Sequence, residues 1–422
     1  MIPNVTWPNE LWLEALVQAK QLDAQDVLKE KRQAFVIPDK IIYLDGNSLG
    51  PATDAAQMAG QSVVDAQWQT DLIKSWNVHD WIRLPRIVGA QIAPIVGARD
   101  DCVIACDSIS INLYKLLHIA LNLQSDRQVI MTQEGNFPTD GYIAQGLMAH
   151  RSDVSLVYVD EKDIIAQLDE SVAVLMLTHI NYKTGYMLDM RRITQAAHAL
   201  GILVIWDLAH SAGAVELSLD EDEVDFAVGC GYKYLNGGPG APSFVYVNAV
   251  HHNRLKQPLT GWMGHANAFA FEQDYIPADG IDSLLCGTPN IISMAVLKGA
   301  LTVFSDVNMT DVRQKSLTLS SFMVSVIKQH PALQSLELVT DMHDAHRGSQ
   351  IALAHPEAYA ICQAWIAQGV IADFRSPNIL RIGFAPLYIS HLDVLQAVDA
   401  LALIMQRQSY RAKQYQTRNA VT

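Results

Sequence analysis

The residues best suited to covalent chemistry lie in two short stretches. Ile202 to Trp206 is an unbroken apolar run that stops at Asp207, with His210 three residues further on. Phe226 to Gly229 is a second apolar run. It leads to Lys233, which stands between Tyr232 and Tyr234, and then to a turn rich in glycine at Gly237, Gly238 and Gly240. Runs of this kind, apolar on both faces, read as central strands of a parallel sheet, and such sheets carry their chemistry at the carboxyl ends of the strands. An acid at one strand end and a lysine just beyond the next are what pyridoxal phosphate chemistry requires. The lysine forms the Schiff base, and the acid keeps the pyridine nitrogen protonated so that the ring accepts electrons. Alone, Asp207 reads as a helix N-cap and Lys233 as a solvated loop cation. Together they favour the cofactor. His210 reads equally as a capping or core histidine and as a cofactor contact.

A phosphate needs free N–H groups. Val103 to Ala105 leads through Asp107, Ser108, Ile109 and Ser110 into an apolar-periodic helix, whose start offers free N–H groups and the positive end of its dipole, although an ordinary cap looks the same. Neither a G-x-G-x-x-G nor a P-loop pattern occurs, so dinucleotide and nucleoside triphosphate readings lose support. Phe137, Pro138, Thr139 and Asp140 follow a strand and open a helix; Phe137 is either a hydrophobic staple or a ring stacked on the pyridine. Thr178 ends another strand and begins a polar cluster that runs to Gly185. The loops around Trp262 and Thr288 are connectors, phosphate contacts or contacts to a partner subunit. Trp68, Trp76 and Trp81 read as core packing or as an aromatic wall for a flat ligand. Arg381 lies in an apolar strand, where it pairs with an internal acid or holds a substrate carboxylate with its planar fork.

The elements that must position these groups alternate. Strands are expected at 102–105, 129–132, 154–159, 172–178, 202–206, 226–229 and 243–247, with helices at 109–121, 137–149, 161–168 and 189–200. That pattern implies a mainly parallel seven-stranded sheet with helices on both faces. Helices are also expected within 9–35 and at 54–68. Beyond 290 the alternation gives way to a smaller α+β region, with helices at 291–304, 312–329, 357–369 and 389–406. The expected division is 60–290 for the large domain and 291–422 for the small one, joined by 1–59. The polar tail from Arg407 is expected to fray.

With 422 residues, 50% hydrophobic and 18% charged, the chain can bury a large core. A net charge of −14 without a basic block argues against nucleic acid as a partner. The five cysteines have no C-x-x-C spacing, which points to reduced thiols and away from a metal site or a disulfide framework. The opening residues lack the pattern of a signal peptide and no apolar run approaches a membrane span, so a cytoplasmic protein is expected.

Taken together, these blocks resemble kynureninase: Asp45 to Gly50, Asn136 to Asp140, Thr178 to Tyr186, Trp206 to Val215, Tyr232 to Gly240, and Arg381 with Pro386 to Tyr388. They follow the family's order from residue 45 to 388. The resemblance implies the type I pyridoxal phosphate-dependent transferase fold, and a homodimer with active sites at the subunit interface. By position it assigns Lys233 to the Schiff base, Asp207 to the pyridine nitrogen and Phe137 to ring stacking. Ile109, Ser110, Tyr232, Trp262 and Thr288 would surround the phosphate. Pro138, Thr139, Asp140, Thr178 and His210 would complete the cofactor site. Arg381, Ser48 and Trp76 would meet an amino acid substrate. The implied reaction is hydrolysis of L-kynurenine to anthranilate and L-alanine, a step of tryptophan catabolism, with Lys233 removing the Cα proton and Tyr232 returning a proton late. The Trp76 and Thr288 pair resembles bacterial-type enzymes and implies a preference for kynurenine over its 3-hydroxy form. Another enzyme of the same fold, a cysteine desulfurase or an aminotransferase, is the competing reading. A desulfurase needs a mobile loop cysteine, and no glycine-rich lid here carries one.

Overall fold

The computed structural model describes Trp7 and residues 9–418; most of the segment read for a signal peptide therefore lies outside the described residues. Seven strands form the main sheet in the order Val103–Ala105, Ser243–Val247, Phe226–Cys230, Leu203–Asp207, Val172–Thr178, Val129–Gln133 and Ser155–Val159. All pairings are parallel except those of Ser243–Val247, which runs antiparallel to both its neighbours.

The apolar runs form this sheet because both of its faces are covered. Every residue of Leu203–Asp207 and of Val172–Thr178 is buried. Val204 and Trp206 join the cluster that holds Val88, Ile193 and Leu301, whereas Leu203 and Ile205 join Leu113, Leu117 and Ala144. Each strand therefore feeds two cores by simple alternation, and each fully buried aliphatic side chain contributes roughly 1.5–3 kcal/mol. The amino end of the sheet is held by Asp225, which accepts from His198 Nε2 and His251 Nε2, each at 2.8 Å, and from Val204 N at 2.9 Å. That anchor leaves the carboxyl end free to carry function.

A second, four-stranded antiparallel sheet is ordered Asp373–Arg375, Ile379–Gly383, Gln350–Ala354 and Glu337–Leu338. Helices Ala358–Ile366 and His391–Arg407 pack near it, and the N-terminal helix Asn9–Gln25 lies on His391–Arg407. Ile42–Tyr43 pairs in parallel with Val370–Ile371. The loop that follows reaches the lysine turn of the main sheet: Gly50 N donates to Tyr232 O at 2.8 Å. A Cβ on Gly50 would stand 2.3 Å from Lys233 O, so only glycine allows this approach.

Two expectations need correction. The helix expected at 54–68 is α-helical only over Asp54–Ser62 and continues as a π-helix over Val63–Asp71. The tail does not fray at Arg407. It continues as tight turns over Ser409–Arg411 and Lys413–Tyr415, because Tyr410 is buried against His355 and the Arg418 guanidinium lies over the Phe374 ring. Two aromatic anchors outweigh the polar composition.

Candidate active site

Strand ends converge at the carboxyl edge of the main sheet. Asp207 ends its strand buried, and its Oδ1 accepts from Ala209 N at 2.7 Å. Thr178 ends the neighbouring strand; its backbone exchanges two 3.1 Å hydrogen bonds with the Gln133 side chain, which ties in a third strand. Beyond Cys230 the chain turns, and Asn236 N donates to Lys233 O at 2.9 Å. That turn directs Lys233 Nζ to within 3.0 Å of His210 Nε2.

These groups line a cavity of about 260 Å³. Of the residues singled out from the sequence, Ile109, Ser110, Phe137, Thr139, Asp140, Thr178, Asp207, His210, Tyr232 and Lys233 all border it. On one wall Ser108 caps the helix Ile109–Leu123, its Oγ accepting from Ile111 N at 3.4 Å. The first N–H groups of a helix have no partner within it, which leaves this wall ready for a phosphate. On another wall Phe137 is half-exposed, with its ring edge-on to Tyr182 at 5.3 Å between centroids. Pro138 starts the following helix and does not line the cavity.

The polar groups of the cavity are strongly perturbed by burial. Both carboxylate oxygens of Asp140 are buried with no hydrogen-bond partner, as is His210 Nδ1. Burial, and then the Asp207 charge, hold the Asp140 carboxyl well above its usual range. Burial also raises Asp207, with the Lys233 charge opposing it. Burial and then Lys233 hold His210 far below its usual range, so its ring is neutral and Nε2 accepts from the lysine. Burial, with Cys230 and Asp207 nearby, pushes the Tyr232 phenol up, so it keeps its proton. Buried polar groups without partners are uncommon and mark the surface a ligand would satisfy. The set fits pyridoxal phosphate: an acid for the ring nitrogen, a lysine for the aldehyde, a ring for stacking and a helix start for the phosphate.

The remaining residues lie elsewhere. Arg381 is fully buried behind the cavity wall, where Nη1 donates to Tyr182 O at 2.8 Å and Nη2 to Ser48 Oγ at 2.6 Å. Trp76 packs edge-to-face on Trp81 and Trp262, with centroids 6.1 and 6.2 Å away. Thr288 lines a separate cavity of about 170 Å³ with Cys106, Asp107 and Cys286. Neither Trp76, Trp262 nor Thr288 borders the lysine cavity of its own chain. Tyr182, Ala241 and Ser243 do border it and were not singled out. Tyr182 lay within the polar cluster after Thr178, a signal that was present; Ala241 and Ser243 reach the site only because their strand returns antiparallel.

Four of the five cysteines are buried, and Cys286 is half-buried outside the lysine cavity. Cys230 borders the cavity, but burial pushes its thiol up. Among the described residues no group of His, Cys, Asp and Glu could hold a metal ion, and no single helix is long and apolar enough to cross a membrane.

Sheet order, buried acid and strand-end lysine define a type I pyridoxal phosphate-dependent enzyme. The fold is shared with a cystine C–S lyase solved with cysteine persulfide, at a TM-score of 0.75 and 16% identity over 86% of this chain and 98% of that one. It is shared equally with a cysteine desulfurase of Escherichia coli, at a TM-score of 0.71 and 19% identity over 89% and 98%. In sequence, the kynureninase C-terminal domain matches residues 312–401. A kynureninase of Burkholderia mallei is 47% identical over 96% of this chain and 99% of its own length. Another, of Pseudomonas fluorescens, is 46% identical over 95% and 98%. The chain belongs to the kynureninase family.

Proposed function

We propose that the chain hydrolyses L-kynurenine to anthranilate and L-alanine at the carboxyl edge of the main sheet. The observation that carries this reading is the 47% identity with a kynureninase along 96% of the chain. When bound, pyridoxal phosphate supplies an electron sink conjugated to the substrate Cα. Lys233 holds the cofactor between turnovers and removes the Cα proton during them. Asp207 holds a proton at the pyridine nitrogen, and Phe137 offers a ring for stacking. The helix start at Ile109 and Ser110, with Thr139, takes the phosphate. Water adds to the γ-carbonyl of the substrate, and the Cβ–Cγ bond breaks. Tyr232, which burial keeps protonated, returns a proton to Cβ. Arg381 and Ser48 meet the substrate carboxylate.

The working unit is a homodimer with each site built from two chains. This is supported by Trp262, Thr288 and Trp76, none of which borders the lysine cavity of its own chain. An apolar groove of about 680 Å³, lined by Trp68, Trp81, Pro289 and Ile291, adds to it. Ile73 and Phe271, each 76% exposed, would leave an unusually large apolar surface on a lone chain. On this reading residues 60–290 bind the cofactor, 291–422 form the smaller domain and 1–59 join them. The free cysteines support a reducing compartment and hence the cytoplasm.

The test is to incubate the purified holoenzyme with L-kynurenine and follow anthranilate fluorescence and alanine release. Stoichiometric release of both products is expected. Release of sulfide from cysteine, or amino transfer without Cβ–Cγ cleavage, would contradict the proposal.

A further inference from the structure

Arg381 is not alone behind the cavity wall. It lies directly opposite Asp373 on the neighbouring antiparallel strand, and residues paired in this way share one face of the sheet. Both are buried, at 1% and 3% exposure. Arg381 Nη2 donates to Asp373 Oδ2, and the same oxygen stands 2.7 Å from Arg375 Nε. Ser48 Oγ, from the N-terminal loop, accepts from Arg381 Nη2 at 2.6 Å and from Arg375 Nη2 at 3.4 Å. The four side chains thus close a ring in which one carboxylate serves two guanidinium groups.

We propose that Asp373 is the positioning residue of the substrate-carboxylate site, fixing the Arg381 fork in the orientation that meets an incoming carboxylate. This rests on the reading of Arg381 as the carboxylate-binding residue. A guanidinium has five N–H donors. Three of those of Arg381 are committed to Tyr182, Ser48 and Asp373, so its orientation is set before substrate arrives. The other acid nearby, Asp45, is 3.9 Å from Nη2, beyond hydrogen-bond distance. Burial and the Asp373 charge push its carboxyl up to about 6. Without Asp373 the fork swings toward its remaining acceptors and Arg375 loses its anchor.

The experiment compares L-kynurenine with its α-carboxamide, which lacks the negative charge, as substrates of the holoenzyme. In the wild type the acid should be favoured on the order of a hundredfold in kcat/KM, the scale expected where a buried cationic site is left unpaired. In Asp373→Asn the preference should fall below about tenfold, through KM and with little change in kcat. Removing a buried acid beside two arginines can prevent folding, so Asp373→Glu provides the second variant. It keeps the charge but shifts the carboxylate, and the preference should fall several-fold. An unchanged preference in either folded variant overturns the proposal. Arg381→Lys separates the two claims. If it loses the preference while the Asp373 variants keep it, Asp373 alone is misassigned; if it keeps the preference, the reading of Arg381 fails and the proposal falls with it.

Discussion

Lys233 Nζ lies 3.0 Å from His210 Nε2, and the histidine ring is neutral because burial and the lysine charge oppose its protonation. The pair has one orientation only: the lysine donates and the histidine accepts, with the histidine proton on the unpartnered Nδ1. The amine is therefore tethered within the cavity that Asp207 and Phe137 also line.

Asp207→Asn separates stability from turnover. Burial raises the Asp207 carboxyl, and its charge also raises that of Asp140, so the cofactor-free chain carries two crowded acids. The cofactor-free variant should melt at or above the wild-type temperature. The holoenzyme should retain cofactor but lose on the order of a hundredfold or more in kcat, because a neutral amide cannot hold the pyridinium proton. Thermal melting of the one and initial rates of the other check both halves.

Sites shared between two chains predict complementation. Lys233→Ala and Trp262→Ala should each be severely impaired alone. In an equal mixture after subunit exchange, about half of the dimers are mixed and each has one intact site, so about a quarter of wild-type activity returns. No recovery is expected if Trp262 serves its own chain.

The assignment of Trp76 to the aryl ring of the substrate, which the family resemblance implies, predicts substrate choice. In that place Trp76 would offer an apolar face and a single donor and would leave an added ring hydroxyl without a partner, at a cost of about 1–3 kcal/mol. The wild type should favour kynurenine over 3-hydroxykynurenine roughly tenfold in kcat/KM. Trp76→His with Thr288→Asn should narrow or reverse that ratio. The contacts of Trp76 with Trp81 and Trp262 require a melting control for this variant.

Asp45 gives a pH signature. Its carboxyl ionises near 3.9 in an unfolded chain and at about 6 here. A raised acid favours the folded state most below pH 4, and that contribution is lost as pH rises through 6. Over this window it amounts to on the order of 3 kcal/mol. Asp45→Asn should flatten the fall in stability between pH 4 and 6 and be the more stable protein at pH 7, as urea unfolding at several pH values would show.

The main sheet was legible because strands buried on both faces leave uninterrupted apolar runs, and because the chemistry sits where such runs stop, at Asp207 and just before Lys233. The π-helical stretch at Val63–Asp71 left no such trace, since so short a stretch holds too few turns for the wider π period to show. Asp373 was not legible either. An acid two residues before Arg375 looks like a surface strand end, and only the antiparallel register brings it opposite Arg381. Tyr182 was passed over among polar neighbours because its role depends on where Phe137 comes to lie. Local pattern reports an element and its buried faces; contacts between distant strands depend on register.

The most direct test of the account is where the cofactor attaches. Borohydride reduction of the yellow holoenzyme, followed by peptide mapping, should place the pyridoxyl adduct on the peptide that carries Lys233. Recovery of the adduct on another lysine, such as Lys115 or Lys183, would contradict the assignment of the sheet edge as the active site.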